Sequence, residues 1–170
     1  MAVPGSFLDE TLGAWRDVRN GLIEEVVNIP ANRFEFKPTP EVRSVRELVQ
    51  HILEVAMMMT GELTRPDTDF HRAPWPKLLK MYAGAAYRAK NRRELVMLLK
   101  SQFQDAEKKF RAAGEVALLQ LMTNFDGSKG TKLAWFHHGI AHEEYHRGQL
   151  TLYERLLGLE PALTRVIRGG

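Results

Sequence analysis

The chain has 170 residues, of which 44% are hydrophobic and 26% charged, an ordinary globular composition and enough for one domain with a sizeable core. It contains no cysteine, which excludes a disulfide framework, a cysteine-based zinc site and a cysteine nucleophile. The net charge of +3 is scattered with no Lys/Arg block, so nothing favours a nucleic-acid partner, and no apolar run approaches the roughly 18 residues that would span a membrane.

Met1–Gly5 reads as a frayed leader without the basic and apolar regions of a signal peptide. Together with the absence of cysteine, this gives the expectation of a cytoplasmic protein. Ser6 is a candidate N-cap. Phe7, Leu8, Thr11, Leu12, Trp15, Val18, Leu22 and Val26 then recur at helical spacing, with Asp9, Glu10, Arg16, Asp17 and Arg19 mostly off the stripe. This first helix ends before Pro30. Residues 30–40 hold three prolines and form a connection, in which Phe34 and Phe36 alternate with charges and pack over the bundle.

Ser44 and Glu47 form a capping-box pattern at the start of a second helix, whose stripe is Val45, Leu48, Ile52, Val55 and Met59, running to about Leu63. Arg65–Pro76 reads as a loop and residues 77–89 as a possible short helix. Asn91 caps a third long helix with Leu95, Leu98, Leu99, Phe103, Ala106 and Phe110 on its stripe, stopping near Gly114. Residues 116–122 are apolar and of ambiguous type, and the following FDGSKG is a turn. The fourth long helix covers residues 131–158, with Gly158 as its C′ residue and Pro161 just beyond. Four long amphipathic helices with a long connection predict an all-α four-helix bundle in one domain over residues 1–170, with a possible short extra helix between helices 2 and 3.

The chemistry concentrates on the fourth helix. On a helical wheel centred on His142, the inner arc holds Trp135, His138, Tyr145, His146, Gln149, Leu152, Tyr153 and Leu156. Glu143, Glu144, Arg147, Glu154, Arg155 and His137 fall outside it. Phe136 and Ile140 are also off the arc and mark a second contact surface. His138 and His146 lie about 12 Å apart along the axis, too far to share one ion with bonds of about 2 Å. An i, i+4 pair is the spacing of helical zinc sites, so His142 and His146 form half a site. His51, on the apolar stripe of the second helix, is the third candidate ligand. Buried imidazoles in one core need partners for their nitrogens, and a shared divalent ion satisfies one nitrogen on each.

Three nitrogen ligands leave a coordination position open, as catalytic sites do. Gln149, Tyr145 and Glu54 are candidates for orienting the rings, and His138 is either the alternative partner of His142 or a pocket residue. Trp75, between two prolines, is a candidate cover for a pocket opening. His71 and His137 read as solvated. Zinc is the default metal, with nickel, iron or manganese also compatible with imidazole.

Two segments resemble a known family. RSVRELVQHILE (residues 43–54) and HEEYHRGQLTLYERLLGLEP (residues 142–161) are similar, in order and spacing, to the second-helix and C-terminal-helix motifs of the DinB/YfiT-like metalloenzymes. The resemblance implies a four-helix bundle in which His51, His142 and His146 bind a divalent metal, and a homodimer. It also implies, for some relatives, transfer or isomerisation with a low-molecular-weight thiol such as mycothiol, bacillithiol or glutathione. The expected function is therefore metal-dependent transfer of such a thiol to a small electrophilic substrate. The alternatives are a metal-dependent hydrolase using an activated water and a non-catalytic protein stabilised by its metal.

Overall fold

The computed structural model describes residues 5–169. Residues 1–4, most of the expected leader, lie outside the described residues. The long helices start and stop where local chemistry directs. Helix α1 (Phe7–Asn28) begins at Ser6, whose Oγ accepts from the Asp9 amide at 3.1 Å, and Asp9 and Glu10 in its first turn suit the positive end of the helix dipole. It ends as Ile29 turns extended ahead of Pro30. Helix α2 (Val45–Leu63) opens on the reciprocal Ser44–Glu47 box, with contacts of 3.2 and 2.8 Å.

Helices α3 (Trp75–Tyr82) and α4 (Gly84–Arg88) follow, then α5 (Arg92–Ala113), capped by Asn91 accepting from the Glu94 amide at 2.9 Å. The short helix expected over residues 77–89 is thus two pieces broken at Ala83. It starts two residues early because Pro76 suits a first turn that needs no amide donor. The ambiguous run at 116–122 divides between a turn of helix, α6 (Glu115–Leu118), and a strand, β1 (Leu121–Thr123). This strand pairs antiparallel with β2 (Lys129–Thr131) around the expected turn.

Helix α7 (Lys132–Leu156) is capped by Thr131. It closes at Gly158, whose φ of 76° lets the Leu159 and Gly158 amides bond back to Glu154 and Arg155. The sequence pattern gave no sign of α8 (Ala162–Ile167), which follows Pro161. Among the described residues no helix is long and apolar enough to cross a membrane.

Helices α1, α2, α5 and α7 form the four-helix bundle. Both α1 and α2 pack on α5 and on α7, so the order around the bundle is α1, α5, α2, α7. Helices α1 and α2, successive in the chain, are therefore diagonal in space, as are α5 and α7, which the long connection between α1 and α2 permits. In that connection Phe34 is buried, and Phe36 meets Tyr153 edge-on at 6.0 Å. The apolar core has two parts. One gathers Trp15, Phe103, Phe110 and Phe136; the other gathers Leu22, Ile52, Leu99 and Leu150.

A buried polar layer lies between them in sequence on α1, α5 and α7. The Arg19 guanidinium donates to both carboxylate oxygens of Glu143, to Gln102 Oε1 at 2.7 Å and to the Leu99 carbonyl at 2.7 Å. Trp15 Nε1 also donates to Glu143, at 2.8 Å. Arg19 and Glu143 are 1% and 2% exposed, where the sequence pattern put both outside. Five hydrogen bonds on one ion pair are what a buried charge requires.

Candidate metal centre

The capping box fixes the phase of α2 and so the side of the helix from which His51 projects. Opposite it, α7 presents His142 and His146 one turn apart. His142 Nε2 lies 3.3 Å from His51 Nε2 and 3.1 Å from His146 Nε2. Among the described residues these three form a group whose ligand atoms all lie within 4.8 Å of one another. Nitrogens about 2.05 Å from a tetrahedral ion would stand about 3.3 Å apart, so the observed spacing is already that of ligands around one ion.

The outer nitrogens set the tautomers. His51 Nδ1–H donates to Glu54 Oε1 at 2.7 Å, and His146 Nδ1–H donates to Gln149 Oε1 at 2.8 Å. A neutral ring that donates from Nδ1 carries its lone pair on Nε2, facing the centre. Burial, and then the neighbouring His146 and His51, drives the His142 pKa down to about 3. Burial likewise lowers that of His146, against the bond from Gln149. These two rings are neutral, and Nε2 atoms that both offer lone pairs at 3.1 Å repel unless a cation or proton lies between them. His142 Nδ1 is buried without a partner. The donor set, its spacing and its tautomers fit a divalent ion.

Burial acts to raise the Glu54 pKa, but its bonds to His51 and to the Tyr87 hydroxyl outweigh that and hold it below the usual range. In turn, burial and Glu54 push Tyr87 up to about 12. Glu54 thus orients His51, and Tyr87 on α4 steadies Glu54. Nothing in the pattern around Tyr87 marks it, because the contact is made only by folding. Gln149 orients His146.

Other expected site residues lie elsewhere. His138 is exposed, outside the three-histidine group, with its ring against Trp135 at 4.8 Å. Tyr145 is 66% exposed; its ring meets His146 edge-on at 5.0 Å, from the solvent side. Trp75 packs on Phe125 at 4.6 Å and lines a cleft with Phe70, His71 and Pro74, which no candidate ligand borders.

His142-Glu143-Glu144-Tyr145-His146 also spells H-E-x-x-H, a pattern in which the glutamate serves zinc proteases as general base. Here Glu143 leaves α7 toward α1 and is consumed by Arg19 and Trp15. Among the described residues the centre therefore consists of three imidazoles with no uncommitted carboxylate beside them.

The fold is shared with several solved structures. A DinB-like protein from Bacillus subtilis, YjoA, superposes with a TM-score of 0.66 at 20% identity, over 88% of this chain and 92% of that one. YfiT from Bacillus subtilis, described as "a probable metal-dependent hydrolase with an unusual four-helix bundle topology", gives 0.69 at 15% identity, over 94% and 92%. A mycothiol-dependent maleylpyruvate isomerase gives 0.67 at 14% identity; 84% of this chain matches 60% of that protein. No curated protein matches the sequence. The family model described as "DinB family" matches residues 1–168, and the chain belongs to that family.

Proposed function

We propose that His51, His142 and His146 hold a divalent ion, zinc by default, and that the protein transfers a low-molecular-weight thiol to a small electrophilic substrate. The observation that carries the proposal is the convergence of three imidazoles whose ligand atoms lie within 4.8 Å of one another, His142 Nε2 standing 3.3 and 3.1 Å from those of His51 and His146, with two rings held by Glu54 and Gln149 in the tautomer that points a lone pair inward. The chemistry an ion would supply there is positive charge that favours the thiolate form of a sulfur. The chain has no cysteine, so that sulfur comes from a cosubstrate. In the reaction the thiol proton passes to solvent, a sulfur–carbon bond forms, and the electrophile's leaving group departs with its electron pair.

Thiol transfer is favoured over hydrolysis by the state of the carboxylates. A hydrolase needs a base to take a proton from water. Glu143 is locked to Arg19, Glu54 is engaged by His51 and Tyr87, and Tyr145 faces solvent. A thiol, already acidic, does not need that base. The mycothiol dependence of one structural neighbour agrees with this choice, and the description of YfiT marks the alternative.

The test begins with metal analysis of protein purified without chelator, beside His51→Ala. One ion per chain in the wild type and little in the variant is expected. The loaded protein is then assayed with a generic electrophile and several thiols. A rate above the thiol-only blank supports transfer; turnover of an ester with no thiol present would replace it with hydrolysis. We also propose that the exposed apolar residues Tyr145, Leu152 and Leu156 on α7 pair with a second copy of the chain, which light scattering would show as a dimer.

A further inference from the structure

A second cleft lies on the other side of α2 from the histidines. Thr60 follows His51 by nine residues, which is half a turn round the helix and about 13.5 Å along it. Thr60 therefore faces α5 while His51 faces α7. Between α2, α5 and the start of α4 is a cleft of about 390 Å³, within the size range of ligand sites. It adjoins a hollow of about 370 Å³ between α4 and α5, and Ala85, Leu98 and Ser101 line both.

The floor of the cleft is polar. Thr60 and Gln102 both line it and are 4% and 7% exposed. The Gln102 amide is fixed at both ends: its oxygen accepts from Arg19 at 2.7 Å, and its nitrogen donates to Thr60 Oγ1 at 3.2 Å. An amide nitrogen carries two hydrogens and a hydroxyl one. Among the described residues the second Gln102 hydrogen and the Thr60 hydroxyl proton have no acceptor. Buried donors are normally bonded, so two side by side call for an acceptor from outside the chain. The walls are apolar: Met57, Leu98 and Ala106 in the cleft, Ala89 and Met97 in the hollow beside it. Charges come only as opposites. Lys109 pairs with Asp105 at 3.4 Å on the exposed rim, and Arg88 and Glu94 both line the hollow.

We propose that this cleft binds a small uncharged carbonyl compound with an apolar chain. Its oxygen accepts from Gln102 Nε2 and Thr60 Oγ1, and its chain runs between α4 and α5 toward Met97, an apolar side chain that is otherwise 60% exposed. Two neutral donors suit a ketone, ester or amide oxygen. A carboxylate would give up its hydration for too little in return. The site is separate from the histidine cluster and stands whether or not a metal binds there.

The test titrates 2-octanone and octanoate, equal in chain length, into isotope-labelled full-length protein and follows the side-chain amide signals of Gln102 by nuclear magnetic resonance. The expected result is a saturating shift of those signals with 2-octanone, and octanoate binding weaker by about tenfold or more. Thr60→Val keeps the shape of the floor and removes one donor, so it should weaken 2-octanone binding by about three- to tenfold, the worth of one neutral hydrogen bond. Ser101→Trp, at an exposed position that lines both cleft and hollow, should fill the space and abolish the shift. Its surface position spares the core, so it decides the matter if Thr60→Val does not fold. Gln102 signals unmoved up to the solubility limit of 2-octanone, octanoate bound as tightly as the ketone, or binding unchanged by either folded variant would overturn the proposal.

Discussion

Glu143 and His142 are neighbours in the chain, yet their side chains serve different interfaces of α7. The carboxylate is buried against Arg19 and Trp15 of α1, while the imidazole meets His51 of α2. The apparent H-E-x-x-H motif is thereby divided between a structural ion pair and a candidate metal centre.

That division predicts the behaviour of Glu143→Gln. Leaving Arg19 buried without its counter-charge should cost about 3–5 kcal/mol, read as a shift in the urea midpoint. The fraction that folds should still bind one ion per chain. Full stability with lost turnover would instead make Glu143 a base.

Glu54→Ala and Gln149→Ala test the groups that hold the rings. Each frees one imidazole to rotate and lose its tautomer, and each should weaken metal affinity by about 10–100-fold in a chelator competition. Fold stability without metal should change little, because Gln149 and Glu54 sit at the edge of the core. Unchanged affinity in both variants would show that packing alone orients the histidines.

A pH dependence arises far from that centre. Glu154 and Glu25 are both fully buried. Glu25 accepts from the Ala162 and Leu163 amides of α8, and Glu154 accepts from Asn28. Glu154 Oε2 has no donor. Burial, reinforced by Glu25 against the bond from Asn28, raises Glu154 from 4.5 to about 8, so the folded protein keeps a proton there. Because the folded state holds a proton that the unfolded state has lost, stability is fully present below about pH 4.5 and falls as pH rises through 8. The slope is at most about 1.4 kcal/mol per pH unit. Glu154→Gln should flatten this slope in melts recorded across that range.

Gly61 offers a substitution whose sign opposes helix propensity. In an exposed helix, alanine in place of glycine would gain about 1 kcal/mol. Here a Cβ at residue 61 would overlap the ring of Tyr82, whose hydroxyl is fixed to Glu62 at 2.6 Å. Gly61→Ala should therefore destabilise by about 1–3 kcal/mol in denaturant unfolding.

Helix ends were legible because caps are local: Ser6, Ser44, Asn91 and Gly158 each act within a few residues. The meeting of His51 with His142 and His146 was legible because spacing and burial cost converge on it. The face of α7 was misjudged. Its buried residues Lys132, Phe136, Glu143, Leu150 and Glu154 centre about 80–100° from His142 on the wheel, since α7 packs against α1 as well as α2. The histidines therefore lie at the margin of the core, and Tyr145, Leu152 and Leu156 beyond them face solvent. A single-helix pattern also assigns charges outward. The burial of Arg19, Glu143 and Glu154 depends on partners more than 120 residues away, which no local window contains.

Leucine against leucine is nearly as favourable one turn up as one turn down, so a purely apolar bundle has several vertical alignments of similar energy. Arg19 has one, where Glu143, Gln102 and the Leu99 carbonyl coincide. Sliding α7 by a turn, about 5.4 Å, would strand that guanidinium and carry His142 and His146 past His51 in the same movement. The buried ion pair thus works as an alignment pin: the carboxylate that the metal centre does not use sets the height at which its histidines meet.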